Sequence, residues 1–431
     1  MVSAMLFRMR DRIFYGWVVV VALLIILTII LGTRATFGVF FKSIESEFNL
    51  TRAATSGIFS AYMVLCAVSA ILGGLAADRY GPRIVIFIMG LFTGASLLLT
   101  SQATSSWQLF ITYSLLLAVG TGAGFVVVTA TASRWFVTKR GLALGITTSG
   151  EGLGALIMAP FAVYLISSLN WRMALVVMSL VTGVTMTTLS LLLRKSPAEI
   201  GALPDELNLI RKDGAMSGKS GHAPASLSLR EAFRTRSFWL LGIIWLLYSL
   251  CYHLVVTHIV PRATDIGITP AKAALVLALI GGGNILGRLA MGTASDKLGR
   301  KISAIVCALV QVASMTWVAW SNDLWMFYLF ALVYGFGFGG LSTCTTALVG
   351  DTFGIGNLGV ITGALVIGFS LGAAVGPIVG GFIFDVTDDY FIAFMTGAPA
   401  MLIVALLVAL IRTRTAIRPD MKQGDAAIDA T

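Results

Sequence analysis

Five ionisable side chains stand inside long apolar stretches of this 431-residue chain: Arg34, Glu151, His253, His258 and Arg288. A charge within such a stretch costs about 2.5–3.5 kcal/mol on insertion scales and usually faces a protein interior or an aqueous cavity. Arg288 points most directly to chemistry. Its guanidinium is a planar fork of donors that matches a carboxylate in a bidentate way. Asn284 lies one helical turn earlier on the same face. Its amide can orient Arg288 or bond a hydroxyl or carboxylate. This is the chemistry of recognising a small anion. No metal cluster, nucleophile triad or phosphate-binding loop stands beside it, so an enzyme is the least favoured class.

Three groups could carry a proton. His253 and His258 titrate near neutral pH in their ordinary state. Glu151, in Gly150-Glu151-Gly152, is the only acid inside an apolar stretch. A buried carboxylate can take up and release a proton as its access to water changes. Asp265 follows the stretch that holds the histidines and is expected to pair with a cavity cation in one conformation. Arg34 is expected in the outer half of the first stretch, as a gate cation or a side chain reaching the surface. Phe125, Tyr334 and Phe338 lie among glycines and are candidates to shape a small site, with Tyr334 offering a hydrogen bond.

The elements that must position these residues follow from composition. Hydrophobic residues make up 57% of the chain and charged residues only 12%, about half the usual share of a soluble domain. A spanning helix needs about 20 apolar residues. Twelve segments qualify: 15–41, 54–76, 84–102, 107–133, 141–167, 171–193, 238–260, 270–294, 302–320, 324–349, 358–384 and 391–411. The runs are continuous rather than alternating, which excludes barrel strands. The expected fold is an all-α integral membrane protein with twelve transmembrane helices. Residues 1–193 form an N-terminal six-helix bundle, 194–237 a cytoplasmic linker with a short amphipathic helix near 227–235, and 238–431 a C-terminal bundle with a tail.

The chain holds 30 Lys and Arg against 20 Asp and Glu, a formal charge of +10. In a soluble protein this excess would suggest nucleic acid. Here 23 of the cations fall on the side of the termini and linker, five on the other, and two inside spans. The positive-inside rule then places both termini in the cytoplasm, with a plasma membrane, such as a bacterial inner membrane, as the location. The four cysteines, Cys66, Cys251, Cys307 and Cys344, sit in apolar runs without metal spacing and read as small buried hydrophobes.

The two halves repeat. At an offset of 218, Gly74, Asp78 and Gly81 match Gly292, Asp296 and Gly299, while Gly141, Gly145, Gly150 and Gly154 match Gly359, Gly363, Gly368 and Gly372. Repeats of equal topology are related by an axis along the membrane normal, with a path between them. The first loop motif, Gly74 to Arg83, brings Asp78, Arg79 and Arg83. Its copy brings Asp296, Lys297 and Arg300. Such charges at one face can latch a conformational state. Pro160 and Gly376-Pro377, at near-equivalent places, suggest helices that bend.

The doubled motif resembles the loop signature of the major facilitator superfamily, across both halves. Tyr15-Gly16-Trp17, Phe37-Gly38-Val39-Phe40-Phe41, Trp135-Phe136 before Arg140-Gly141, Asn170-Trp171-Arg172 and the Asn284/Arg288 pair are similar to its monocarboxylate transporter branch, which includes bacterial lactate and oxalate/formate carriers. The resemblance implies two bundles related by a pseudo-two-fold axis. It also implies a transporter working by alternating access, active as a monomer, with no cofactor beyond a coupling proton. The branch often has Asp where this chain has Asn284, which leaves Arg288 without its usual fixed partner. Oxalate carriers of the branch use a lysine in span eleven. Segment 358–384 holds no Lys or Arg, which favours a monoanion. The expected function is co-transport of a proton with a lactate-like monocarboxylate, a 2-hydroxy or 2-keto acid. Alternatives are carboxylate exchange without a proton and, in another class, a non-transporting carboxylate sensor.

Overall fold

The computed structural model describes residues 15–136, 140–200, 227–354 and 358–411. Every regular element among them is helical. Twelve helical segments are long and apolar enough to cross a membrane. They are α1 (Tyr15–Phe48), α2 (Arg52–Tyr80), α3 (Pro82–Ser101), α4 (Ser106–Trp135), α5 (Leu142–Ser168), α6 (Trp171–Ser190), α7 (Arg236–Asp265), α8 (Pro270–Ser295), α9 (Arg300–Ala319), α10 (Leu324–Phe353), α11 (Val360–Thr387) and α12 (Phe391–Leu410).

All twelve match the segments expected from hydropathy, but several overshoot them. Helix α2 begins where the Thr51 hydroxyl accepts from the Ala54 N–H (3.1 Å), and α7 where the Thr235 hydroxyl accepts from the Phe238 N–H (3.3 Å). Hydropathy marks the bilayer core, whereas a helix ends where its backbone groups find a cap. The overshoot matters most in α1, which has 34 residues rather than the 27 of segment 15–41. It is about 50 Å long, so Arg34 lies near its middle. Helix α4 contains a π-helical turn, Phe110–Leu116. The Ser96 hydroxyl donates to the Thr112 carbonyl there (2.7 Å). Neither Pro160 nor Pro377 ends its helix. The short helix Leu229–Phe233 precedes α7 and is closed by a Ser228/Glu231 capping box. Residues 201–226 of the expected linker lie outside the described residues.

In the first half α1 packs on α5 and α3 on α6. In the second half α7 packs on α11 and α9 on α12. The halves meet along two main seams, α2 with α11 and α5 with α8, and the end of α1 also packs on α7. Adding six to each helix of the first half turns one seam into the other, as a two-fold axis between the halves requires. Glycines bring the seams close. A Cβ on Gly152 of α5 would come within 2.6 Å of the Gly281 carbonyl of α8, and one on Gly381 of α11 within 2.7 Å of the Arg52 carbonyl of α2. Because the chain runs up and down, the loops carrying Asp78 and Lys297 share one end with the linker. Arg52, Asp265 and Tyr390 share the other, called here the far end.

Candidate functional site

Glu151 lies between the halves because its neighbours are glycines. A Cβ on Gly150 would press on the α1 backbone at Thr28 (3.0 Å), while Gly152 touches α8. The carboxylate between them therefore reaches both helices. It pairs with Arg288 of α8 through one oxygen and with Arg34 of α1 at 3.9 Å through the other. Arg288 Nε donates to Asn284 Oδ1 (2.7 Å). Helix α10 approaches Asn284 closely, and Gly339 leaves room for it.

This geometry corrects two expectations. Arg288 is not without a fixed partner, because Glu151 supplies from another helix the acid that position 284 lacks. Arg34 is not at an outer gate. It stands at the centre, because α1 extends well past the apolar segment whose outer half it was expected to occupy.

A narrow cavity adjoins this cluster, lined by Leu31, Arg34, Ala35, Phe59, Glu151, Tyr252, His253 and Val256. His253 is 1% exposed. Its Nδ1 lies 2.9 Å from the Ser249 carbonyl, and its Nε2 has no partner among the described residues. The aromatic candidates fare differently. Phe338 stacks on Tyr252 (3.9 Å between centroids) and supports the wall from behind rather than lining it. Tyr334 is wholly buried against Phe330, and its hydroxyl has no partner among the described residues. It faces the core of the second half, not the cavity. Phe125 is 44% exposed and does not line the cavity either, since the α4 face at Gly124 packs on α1 and leaves Phe125 to one side.

His258, five residues from His253, belongs to the far end. Its Nε2 donates to the Pro377 carbonyl (2.8 Å), and its Nδ1 lies 2.9 Å from the Tyr390 hydroxyl. Both nitrogens are engaged, so it is held in place rather than open to a cavity. The far end is organised by Arg52, which is 7% exposed. Arg52 grips Asp265 through two bonds (2.7 and 3.1 Å). It also bonds Glu45 (3.2 Å) and donates to the Tyr390 hydroxyl (2.8 Å). Its guanidinium lies 3.6 Å over the Phe384 ring. Asp385 accepts from the backbone N–H groups of Arg52 and Ala53 (3.0 and 2.9 Å). Lys42 also pairs with Asp265 (2.6 Å). Asp265 therefore does pair across the halves, with Arg52 and Lys42 instead of a cavity cation. Burial pushes the Tyr390 phenol above its ordinary range, against the pull of Arg52, so it stays a donor. Sequence reasoning missed Arg52, which reads there as one more loop cation.

At the linker end the loop charges bind within halves. Asp78 pairs with Arg134, and its carbonyl accepts from Lys195 (2.6 Å). Arg300 pairs with Asp351. Arg79 lies over the ring of its neighbour Tyr80 (5.3 Å). Arg83 and Lys297 are exposed. The side chains of Asp296 and Arg140 lie outside the described residues. Neither pair, Asp78 with Arg134 or Arg300 with Asp351, links the two halves.

The Major Facilitator Superfamily model matches residues 23–262 and 255–427. The chain belongs to that superfamily, a family of membrane transporters rather than enzymes. Among curated relatives, Monocarboxylate transporter 13 of Bos taurus is 26% identical over 398 residues, covering 90% of this chain and 87% of its own length. Monocarboxylate transporter 11 of Homo sapiens is 25% identical over 397 residues, covering 90% and 81%. Among solved structures, a bacterial homolog of the human lysosomal transporter Spinster, inward-facing and unoccupied, superposes with a TM-score of 0.70 at 16% identity, covering 92% of this chain and 95% of that one. The chain is a multi-pass transporter related to monocarboxylate transporters.

Proposed function

We propose that the protein co-transports a proton with a short, lactate-like monocarboxylate by alternating access, as a monomer. The observation that carries this is the convergence of Arg34 and Arg288 on one carboxylate, Glu151. In the empty carrier Glu151 occupies the donors that a substrate carboxylate would use. A proton on Glu151 weakens its hold, and the substrate takes its place on Arg288 and Arg34. Two cations and one anion remain in the cluster before and after, so its formal charge is unchanged. Moving the proton with the anion also removes the cost of working against the membrane potential, about 2.3 kcal/mol per charge per 100 mV. The cationic linker end is taken as cytoplasmic, with both termini there and the far end outside.

Uptake of labelled lactate into proteoliposomes tests this reading. Arg288→Ala removes a charge-assisted fork and is expected to lower uptake at least about tenfold. An inward proton gradient is expected to speed wild-type uptake. Wild-type rates in Arg288→Ala would end the anchoring role. Indifference to the gradient would remove the proton.

A further inference from the structure

We propose that His253 makes the cavity select 2-hydroxy acids over 2-oxo and unsubstituted acids, by accepting the substrate's hydroxyl hydrogen on Nε2. The proposal rests on the monocarboxylate reading of the same cavity.

The argument begins at the other ring nitrogen. The Ser249 hydroxyl donates its single hydrogen to the Phe369 carbonyl (2.6 Å), so toward Nδ1 of His253, 3.3 Å away, it can only accept. The Ser249 carbonyl, 2.9 Å from Nδ1, also only accepts. Both neighbours of Nδ1 are acceptors, so Nδ1 carries the hydrogen. In the neutral ring Nε2 then holds a lone pair.

That lone pair is buried and has no partner among the described residues. The ring cannot turn to find one. Tyr252 and Phe369 meet it edge-on at 5.1 and 5.6 Å, and Phe59 lies at 6.2 Å. A buried acceptor without a donor is costly until a donor arrives. His253 lines the cavity together with Arg34 and Glu151. A carboxylate seated at the guanidinium groups would hold its 2-substituent beside that wall. A 2-hydroxy acid brings an O–H to Nε2. A 2-oxo acid brings a second set of lone pairs, and an unsubstituted acid brings nothing polar.

The test is competition against labelled lactate uptake in proteoliposomes of the full chain, using unlabelled lactate, pyruvate and propionate. In the wild type, lactate should compete about tenfold better than either of the others, the worth of one hydrogen bond. His253→Phe should bring the three within about threefold, the low end of one such bond. His253→Gln can turn its oxygen to a hydroxyl or its nitrogen to a carbonyl, so lactate and pyruvate should then compete within about threefold of each other. Equal competition by all three in the wild type overturns the role of His253 and leaves the monocarboxylate reading standing. A tenfold preference for lactate that survives in His253→Phe also overturns it. If no acid competes and none is taken up, the monocarboxylate reading fails and this proposal falls with it.

Discussion

The two ends of the molecule use their charges in opposite ways. At the far end Arg52, Lys42, Asp265 and Asp385 bind across the halves, sealed by Phe384 and Tyr390. At the linker end Asp78 with Arg134, and Arg300 with Asp351, bind inside a half. The difference lies in burial as much as in partners. Arg52 has a side chain 8% exposed, whereas that of Asp78 is 67% exposed. A buried fork with several acceptors can hold two bodies together. A solvated pair contributes little and can exchange partners as the bodies move. The far end is therefore the closed one.

The largest break in this comparison is Arg52→Ala, which leaves Asp265, Glu45 and Tyr390 short of a donor at once. Loss of one partner from a buried pair costs about 3–5 kcal/mol, enough to raise the population open at the far end about 100-fold. A cysteine at Ser56, wholly buried in this state, should then react with an impermeant maleimide from the far side. Unchanged labelling would mean that the cluster closes nothing. Tyr390→Phe is the finer cut. It removes only the hydroxyl between Arg52 and His258, and should raise the same labelling about tenfold. An effect as large as that of Arg52→Ala would shift the weight from the ion pairs to the phenol. The smallest change is Asp78→Asn. It should alter thermal stability by no more than about 1 kcal/mol and leave the Ser56→Cys labelling as it was. A large labelling change there would show that the linker-end charges also set the balance.

The spans were legible because a bilayer asks for the same thing twelve times, a run of apolar residues about 30 Å long. The Asn284/Arg288 pair was legible because neighbours on one helix face are set by spacing alone. The rest of the centre was not. Glu151 meets Arg34 and Arg288 only after α1, α5 and α8 have packed, and no local pattern encodes contacts 117 and 137 residues apart. The histidines show the same limit. They sit five residues apart on α7, yet one is enclosed by α11 and Tyr390 while the other borders the cavity. Arg52 was hidden for a simpler reason. In sequence, a buried cation at the start of a helix looks like a solvated one.

The glycine contact between α5 and α8 has a mechanical meaning. It lies one residue from Glu151, at a thin place between the halves. A thin place at mid-depth is a fulcrum. When two levers rock about it, their tips sweep the widest arcs and the pivot hardly moves. A solute held beside Glu151 would then change the water it faces without itself travelling far, and the work of each cycle would be done at the rims.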